Sequence, residues 1–215
     1  MKSENTILIV AVVAMLVSAF SLGFTYFSIS NAKSGLLTGY ATSTSNATIN
    51  ITVASNIAIN FTTNNINFGS GSLSPGTVYS VLDTAAGTVV NGTWTPISTK
   101  LVLENIGTAN VSLNIMTGKN ATYFINGTTP LYQYNVTNSE ATSCSNLTGN
   151  GSTMSSGFVL STLNNVNTTS PGMLVCDKFG YADTADVIKI DFRLGIPYDS
   201  LNGSLGDVIT ATATG

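Results

Sequence analysis

The run Ile7 to Phe27, ILIVAVVAMLVSAFSLGFTYF, carries no charged side chain. A helix of roughly 20 apolar residues spans the hydrocarbon core of a bilayer. Secretory signals use a shorter apolar stretch, about 7–15 residues. Run length therefore points to a retained helix, with a cleaved signal peptide as the second reading. A cut after Ala32 suits that second reading, because Ser30-Asn31-Ala32 places small residues at the two recognition positions. Lys2 precedes the run and Lys33 follows it, so the flanking charge sets almost no orientation.

Downstream of the run the chain reads as extracytoplasmic. Sequons of the form Asn-X-Ser/Thr begin at Asn46, Asn50, Asn60, Asn91, Asn110, Asn120, Asn126, Asn135, Asn146, Asn150, Asn167 and Asn202. Asn, Ser and Thr are abundant enough that many of these arise by chance. Their density still favours a secreted or surface setting, where the bulky glycan needs an exposed attachment point. Charged residues are only 8% of the chain, against about 25% in ordinary soluble domains. Hydroxyls, amides and sugars must supply the solubility. Seven basic residues, scattered along the chain, cannot neutralise a phosphate backbone, so nucleic acid is excluded as a partner. Cys144 and Cys176 are the two cysteines. In an oxidising compartment they are expected to pair, and closing that loop is worth roughly 3–4 kcal/mol in the chain-entropy model.

Alternation then sets the fold class. Ile49, Ile51 and Val53 alternate with polar residues, and Ile57, Ile59 and Phe61 repeat the pattern. Period two marks a half-buried strand. Asn67-Phe68-Gly69 and Ser74-Pro75-Gly76 read as turns. Lys100 to Glu104 and Val111 to Ile115 read as two strands joined by a short turn. Val187 to Ile196 is a long strand with Ile188, Ile190, Phe192, Leu194 and Ile196 on one face, and Asp207 to Thr214 is a last β-prone segment. No stretch after Tyr40 keeps a 3.6-residue period. The expected fold is all-β: one antiparallel β-sandwich, Ig-like or jelly-roll, preceded by a single hydrophobic α-helix. The expected division is residues 1–29 as the helix (a membrane anchor or filament core), 30–46 as a polar arm and 47–215 as the extracytoplasmic domain. The segment from Thr117 to Pro171 is expected to be long loops, with short strands near Tyr132 and Phe158.

Catalytic chemistry finds little to use. With no histidine in the chain, the usual Ser–His–Asp and Cys–His arrangements are excluded. No Gly-rich loop leads into a helix to cradle phosphate. Glu104 falls at a strand end and is expected to be solvated, and Trp94, the lone tryptophan, is expected to pack in the core or at an edge. Asp177, Asp183 and Asp186 form the densest acidic group and are weak candidates for a calcium site. They lack the spacing of a standard calcium loop, and Lys178 can pair with one of them. No cofactor and no enzymatic activity are expected.

Three stretches carry a resemblance. Leu37-Thr-Gly-Tyr-Ala-Thr leads into Ala47-Thr-Ile-Asn-Ile-Thr-Val. Ile66-Asn-Phe-Gly-Ser-Gly-Ser-Leu-Ser-Pro-Gly precedes Leu101-Val-Leu-Glu-Asn-Ile-Gly-Thr-Ala-Asn-Val-Ser-Leu. Asp191-Phe-Arg-Leu-Gly-Ile-Pro precedes the terminal Val-Ile-Thr-Ala-Thr-Ala-Thr. Together they resemble small archaeal cell-surface proteins with an N-terminal hydrophobic helix and a Thr/Asn-rich β-sandwich. The arrangement is similar to archaeal bundling pilins and to the bacterial biofilm-fibre and camelysin family, and secondly to archaeal type-IV-like pilins. Type-IV-like processing has only Lys2-Ser3 available as its basic site. The resemblance implies a structural surface glycoprotein, a pilin-like subunit whose partners are copies of itself in a head-to-tail filament. The membrane, through the N-terminal helix, and surface glycans are the other expected partners. A membrane-anchored adhesion or glycan-binding module is the alternative. Segment Tyr40 to Val53, with Ile49, Ile51 and Val53 on one face, is the expected assembly strand.

Overall fold

The computed structural model describes residues 2–36 and 48–215, which fall into two compact units, 1–52 and 53–215. In the first unit a single helix, α1, runs Lys2–Leu36. Every side chain from Ile9 to Phe27 is solvent-exposed and the stretch is long and apolar enough to cross a membrane. An all-round apolar helix has no core-facing stripe, which is the pattern lipid selects. Three of its hydroxyls are satisfied within the helix: Ser18, Ser21 and Thr25 donate to the carbonyls of Ala14, Val17 and Ser21 at 2.8, 3.0 and 2.7 Å. Each such bond spares that hydroxyl the need for water in a hydrocarbon setting. The helix passes the expected boundary at residue 29, because no proline interrupts the sequence up to Leu36. Residues 37–46 of the expected polar arm, and residue 47 after it, lie outside the described residues.

The second unit holds two antiparallel sheets. The larger is organised by β10 (Val187–Pro197). One edge of β10 is shared end to end by two strands, β4 (Leu101–Glu104) beside Val187 to Ile190 and β2 (Tyr79–Asp83) beside Arg193 to Pro197. The other edge pairs with β6 (Leu131–Asn138) from Ile188 to Gly195. Strands β1 (Asn60–Thr63), β3 (Thr88–Val90) and β8 (Asn164–Asn165) flank β4, β2 and β6. The smaller sheet runs β11 (Ile209–Thr214), β5 (Val111–Thr117), β9 (Met173–Phe179), β7 (Cys144–Ser145). A four-residue helix, α2 (Ala121–Phe124), follows β5, with Asn120 as its N-cap.

Both sheets turn their apolar positions into one core. Ile188, Ile190, Phe192 and Leu194 of β10 meet Leu103, Tyr134 and Val136, and the smaller sheet supplies Val111, Leu113, Ile115, Val175 and Phe179. Each such side chain contributes about 1.5–3 kcal/mol on full burial. Aromatic rings thread the middle: Phe124 to Tyr132 at 4.9 Å, Tyr132 to Phe192 at 5.9 Å, Phe192 to Tyr134 at 6.4 Å and Tyr134 to Phe158 at 5.7 Å between centroids. Trp94 is half-buried against this core, as expected for a packing residue.

Three expectations need correction. Strands β4 and β5 do not form a hairpin; they belong to different sheets. The link between them passes from one sheet to the other, with Ile106, Thr108 and Asn110 exposed, and is held by buried Asn105, whose Nδ2 donates to the carbonyls of Ala109 at 3.0 Å and Phe179 at 3.3 Å. The middle of the chain is more ordered than its composition suggests. Leu131–Asn138 is an eight-residue strand paired along β10, whereas Phe158 lies in a turn closed by one bridge, Thr153 with Val159. Finally, Ile49, Ile51 and Val53 belong to no strand, and the first strand begins only at Asn60.

Candidate functional site

Residues 48–55 are described without any strand partner. Ile49, Ile51 and Val53 are 92%, 84% and 81% exposed. Such values are ordinary for lysine and costly for three β-branched residues in succession. The chain docks only from Asn56 onward: Asn56 N–H donates to Thr108 Oγ1 at 2.8 Å and its carbonyl accepts from Thr108 N–H at 2.9 Å. Among the described residues, β11 pairs only with β5 and β1 only with β4. Each therefore keeps a row of backbone groups that an added strand can use. Ile209, Ala211 and Ala213 of β11 pack against the core but stay partly exposed.

The disulfide joins Cys144 and Cys176, with Cα atoms 5.3 Å apart. It fastens β7 to β9 and bounds the loop-rich residues between them. The sequon asparagines fall into two groups. Asn50, Asn60, Asn91, Asn110, Asn126, Asn150 and Asn202 are exposed, while Asn120, Asn135, Asn146 and Asn167 are half-buried. Three of the second group use their carboxamide oxygens locally: Asn120 accepts from Tyr123 N–H, Asn146 from Thr148 Oγ1 and Asn167 from Thr169 N–H. Asn46 lies outside the described residues.

The acidic trio is not gathered into one site. Buried Asp177 clamps a loop, its carboxylate accepting from Leu147 N–H at 3.2 Å, Ser155 N–H at 2.8 Å and the Ser155 hydroxyl. Asp183 is exposed. Asp186 is buried, and its carboxyl is pushed above the usual range by burial and by the nearby charges of Glu140, Glu104 and Asp183. Among the described residues no group of three or more His, Cys, Asp or Glu side chains is arranged to hold a metal ion. Lys178 makes no ion pair there.

Sequence reasoning missed the ionic cluster where β2 and β4 meet on β10. Asp191 is 1% exposed although it points away from the core-facing Ile190 and Phe192. Lys100 Nζ donates to its two oxygens at 2.7 and 2.9 Å, and Thr84 Oγ1 donates to Oδ1 at 3.0 Å. The Thr84 hydroxyl accepts in turn from Phe192 N–H at 2.9 Å. On the other side of Asp191, its register partner is Asn135. The Oδ1 of Asn135 is buried and has no hydrogen-bond partner. A second pair lies nearby: Arg193 holds Asp83 Oδ2 at 2.5 Å. Burial pushes the Asp83 carboxyl up, but hydrogen bonds from Arg193, Ala86 and Ala85 outweigh it and hold it below the usual range. The signal for the cluster was readable: charges on the polar phase of an otherwise apolar strand, in a chain that has few.

No protein-family model matches this sequence, and neither the curated proteins nor the solved structures hold one that is similar to it.

Proposed function

We propose that this chain is a structural cell-surface glycoprotein, a pilin-like subunit of an extracellular filament, tethered or cored by α1. Its second unit is taken as an Ig-like or jelly-roll sandwich carrying sugar on exposed sequons. The observation that carries the reading is the segment Ile49 to Val53, with one exposed apolar face and no strand partner among the described residues, in a chain whose own sheets keep open edges. A second copy can accept that segment beside β11. Ile49, Ile51 and Val53 then continue the inward row of Ile209, Ala211 and Ala213. Main-chain hydrogen bonds give affinity and the alternation gives register. Because donor and acceptor surfaces differ, the contact is heterologous and propagates into an open filament.

The test is electron microscopy of the purified full chain, alongside the triple variant Ile49→Asp, Ile51→Asp, Val53→Asp. Filaments from the wild type that vanish in the variant, with an unchanged melting curve, support the reading. Filaments that survive the triple substitution but vanish on removing Ile7 to Phe27 replace strand exchange with a helix core. A wild-type protein that stays monomeric at all concentrations removes the filament reading altogether.

A further inference from the structure

We propose that Lys100 and Asn135 become joined by an intramolecular amide bond, with Asp191 as the proton shuttle. The three residues stand side by side. Leu101 is paired with Ile190, so Lys100, one position earlier, falls opposite Asp191; Asp191 is paired with Asn135. All three occupy the face opposite to the core-directed Leu101, Ile190 and Val136. Strands lie about 4.8 Å apart, so Lys100 and Asn135 are separated by roughly 10 Å of backbone, which an extended lysine and an asparagine side chain together span. Lys100 Nζ already lies over the intervening strand, 2.7 Å from Asp191 Oδ1.

Two features are unexplained by an ion pair alone. A carboxylate that is 1% exposed sits on the outward face of a sheet, and beside it the Asn135 carboxamide oxygen is buried without a donor. Both are resolved by the same reaction. A proton moves from Lys100 Nζ to Asp191 along their hydrogen bond, which leaves a neutral amine and a carboxylic acid. A neutral lysine amine is a nucleophile. Nζ attacks Cγ of Asn135, and the C=O π bond opens onto Oδ1. The Asp191 proton stabilises the oxygen. One proton passes from Nζ to Nδ2, the C–Nδ2 bond breaks and ammonia leaves. The carbonyl re-forms, and Asp191 keeps one proton.

The balance is closed: an ammonium, a carboxylate and a carboxamide become a secondary amide, a carboxylic acid and ammonia, with no oxidant or cofactor. In the product the buried groups are neutral, and protonated Asp191 can donate to the oxygen that now lacks a partner. Thr84 is the positioning residue. Its hydroxyl is fixed by Phe192 N–H and donates to Oδ1 of Asp191, which holds the carboxylate in place beside Lys100 Nζ. The bond would tie β4 to β6 across β10. It also consumes the Nδ2 of the sequon Asn135-Val136-Thr137, so the cross-link and a glycan are mutually exclusive there. The inference does not depend on the filament reading.

The experiment is intact mass and peptide mapping of the disulfide-bonded full chain, purified in detergent from a host without N-glycosylation. The expected result is a loss of about 17 Da, the mass of ammonia, with a branched peptide joining Lys100 to Asn135. Lys100→Arg keeps the charge pair and should fold, yet should show the unmodified mass; Asp191→Asn should do the same, and Thr84→Val should slow the reaction. Wild-type protein that yields linear peptides containing intact Lys100 and Asn135 after prolonged incubation overturns the proposal. A loss of about 18 Da mapped to Lys100 and Asp191 overturns the assignment of Asn135 as the group attacked.

Discussion

Segment Ile49 to Val53 and strand β10 carry the same pattern, a branched or aromatic apolar residue at every second position, and end in opposite environments. Ile188 and Ile190 are fully buried with strands on both edges of β10. Ile49 and Ile51 are almost fully exposed with none. The difference teaches that alternation encodes the wish for a sheet and says nothing about whose sheet. A strand with partners within reach is satisfied in its own domain. The other pairs with no strand among the described residues and leaves its apolar face exposed.

The largest expected effect sharpens that contrast. Ile190→Ala should cost roughly 3 kcal/mol of unfolding free energy, since a fully buried side chain leaves a cavity. Ile51→Ala should leave the same urea denaturation midpoint within about 0.5 kcal/mol, because its side chain is exposed. An equal loss at both sites would show that Ile51 is buried within its own domain.

Opening the disulfide comes next. Cys144→Ser with Cys176→Ser should lose about 3 kcal/mol, through a denatured chain freed of a loop spanning 32 residues. The loss should be visible as a lower midpoint in the same titration. Preservation of the midpoint would mean that pairing along β7 and β9 suffices without the bond.

Acid separates the two ends of β10. At its C-terminal half Asp83 is held below its unfolded value of about 3.9. Its contribution is present above that pH and is lost as pH falls through the folded value. Arg193 is partly solvent-exposed, so the screened pair is worth under about 1 kcal/mol. Arg193→Gln should therefore flatten the fall in melting temperature between neutral pH and pH 3.

The N-terminal end behaves in the opposite sense and gives the smallest effect. Asp186 holds its proton to higher pH in the fold than in the unfolded chain. Its favourable contribution is complete below the unfolded value and is lost as pH rises through the folded one. At neutral pH Asp186→Asn should stabilise, by under about 1 kcal/mol, by relieving repulsion from Glu140 and Glu104. A destabilised variant at pH 7 would show that the carboxylate is tied by a partner.

The sequence by itself determined the apolar helix, the β character of the rest, the core face of β10, the last strand and the pairing of the only two cysteines. Each of these is local or follows from counting: a run of given length, a period of two, an even number of thiols. It could not assign Leu101–Glu104 and Val111–Thr117 to different sheets, because a short turn serves a hairpin and a crossing equally well. The pairing decides between them: β4 lies along β10, β5 lies between β9 and β11, and the buried Asn105 carboxamide bridges to Phe179 of the second sheet. It placed only a short strand near Tyr132 and not the eight residues of β6, whose apolar tyrosines and Val136 sit among asparagines and threonines that resemble loop. Pairing along eight residues of β10 is what makes that segment a strand. The cluster of Lys100, Thr84, Asp191 and Asn135 draws on four distant parts of the chain. Its members meet only because β2 and β4 share one edge of β10 while β6 takes the other, and strand register is a property of the assembled sheet.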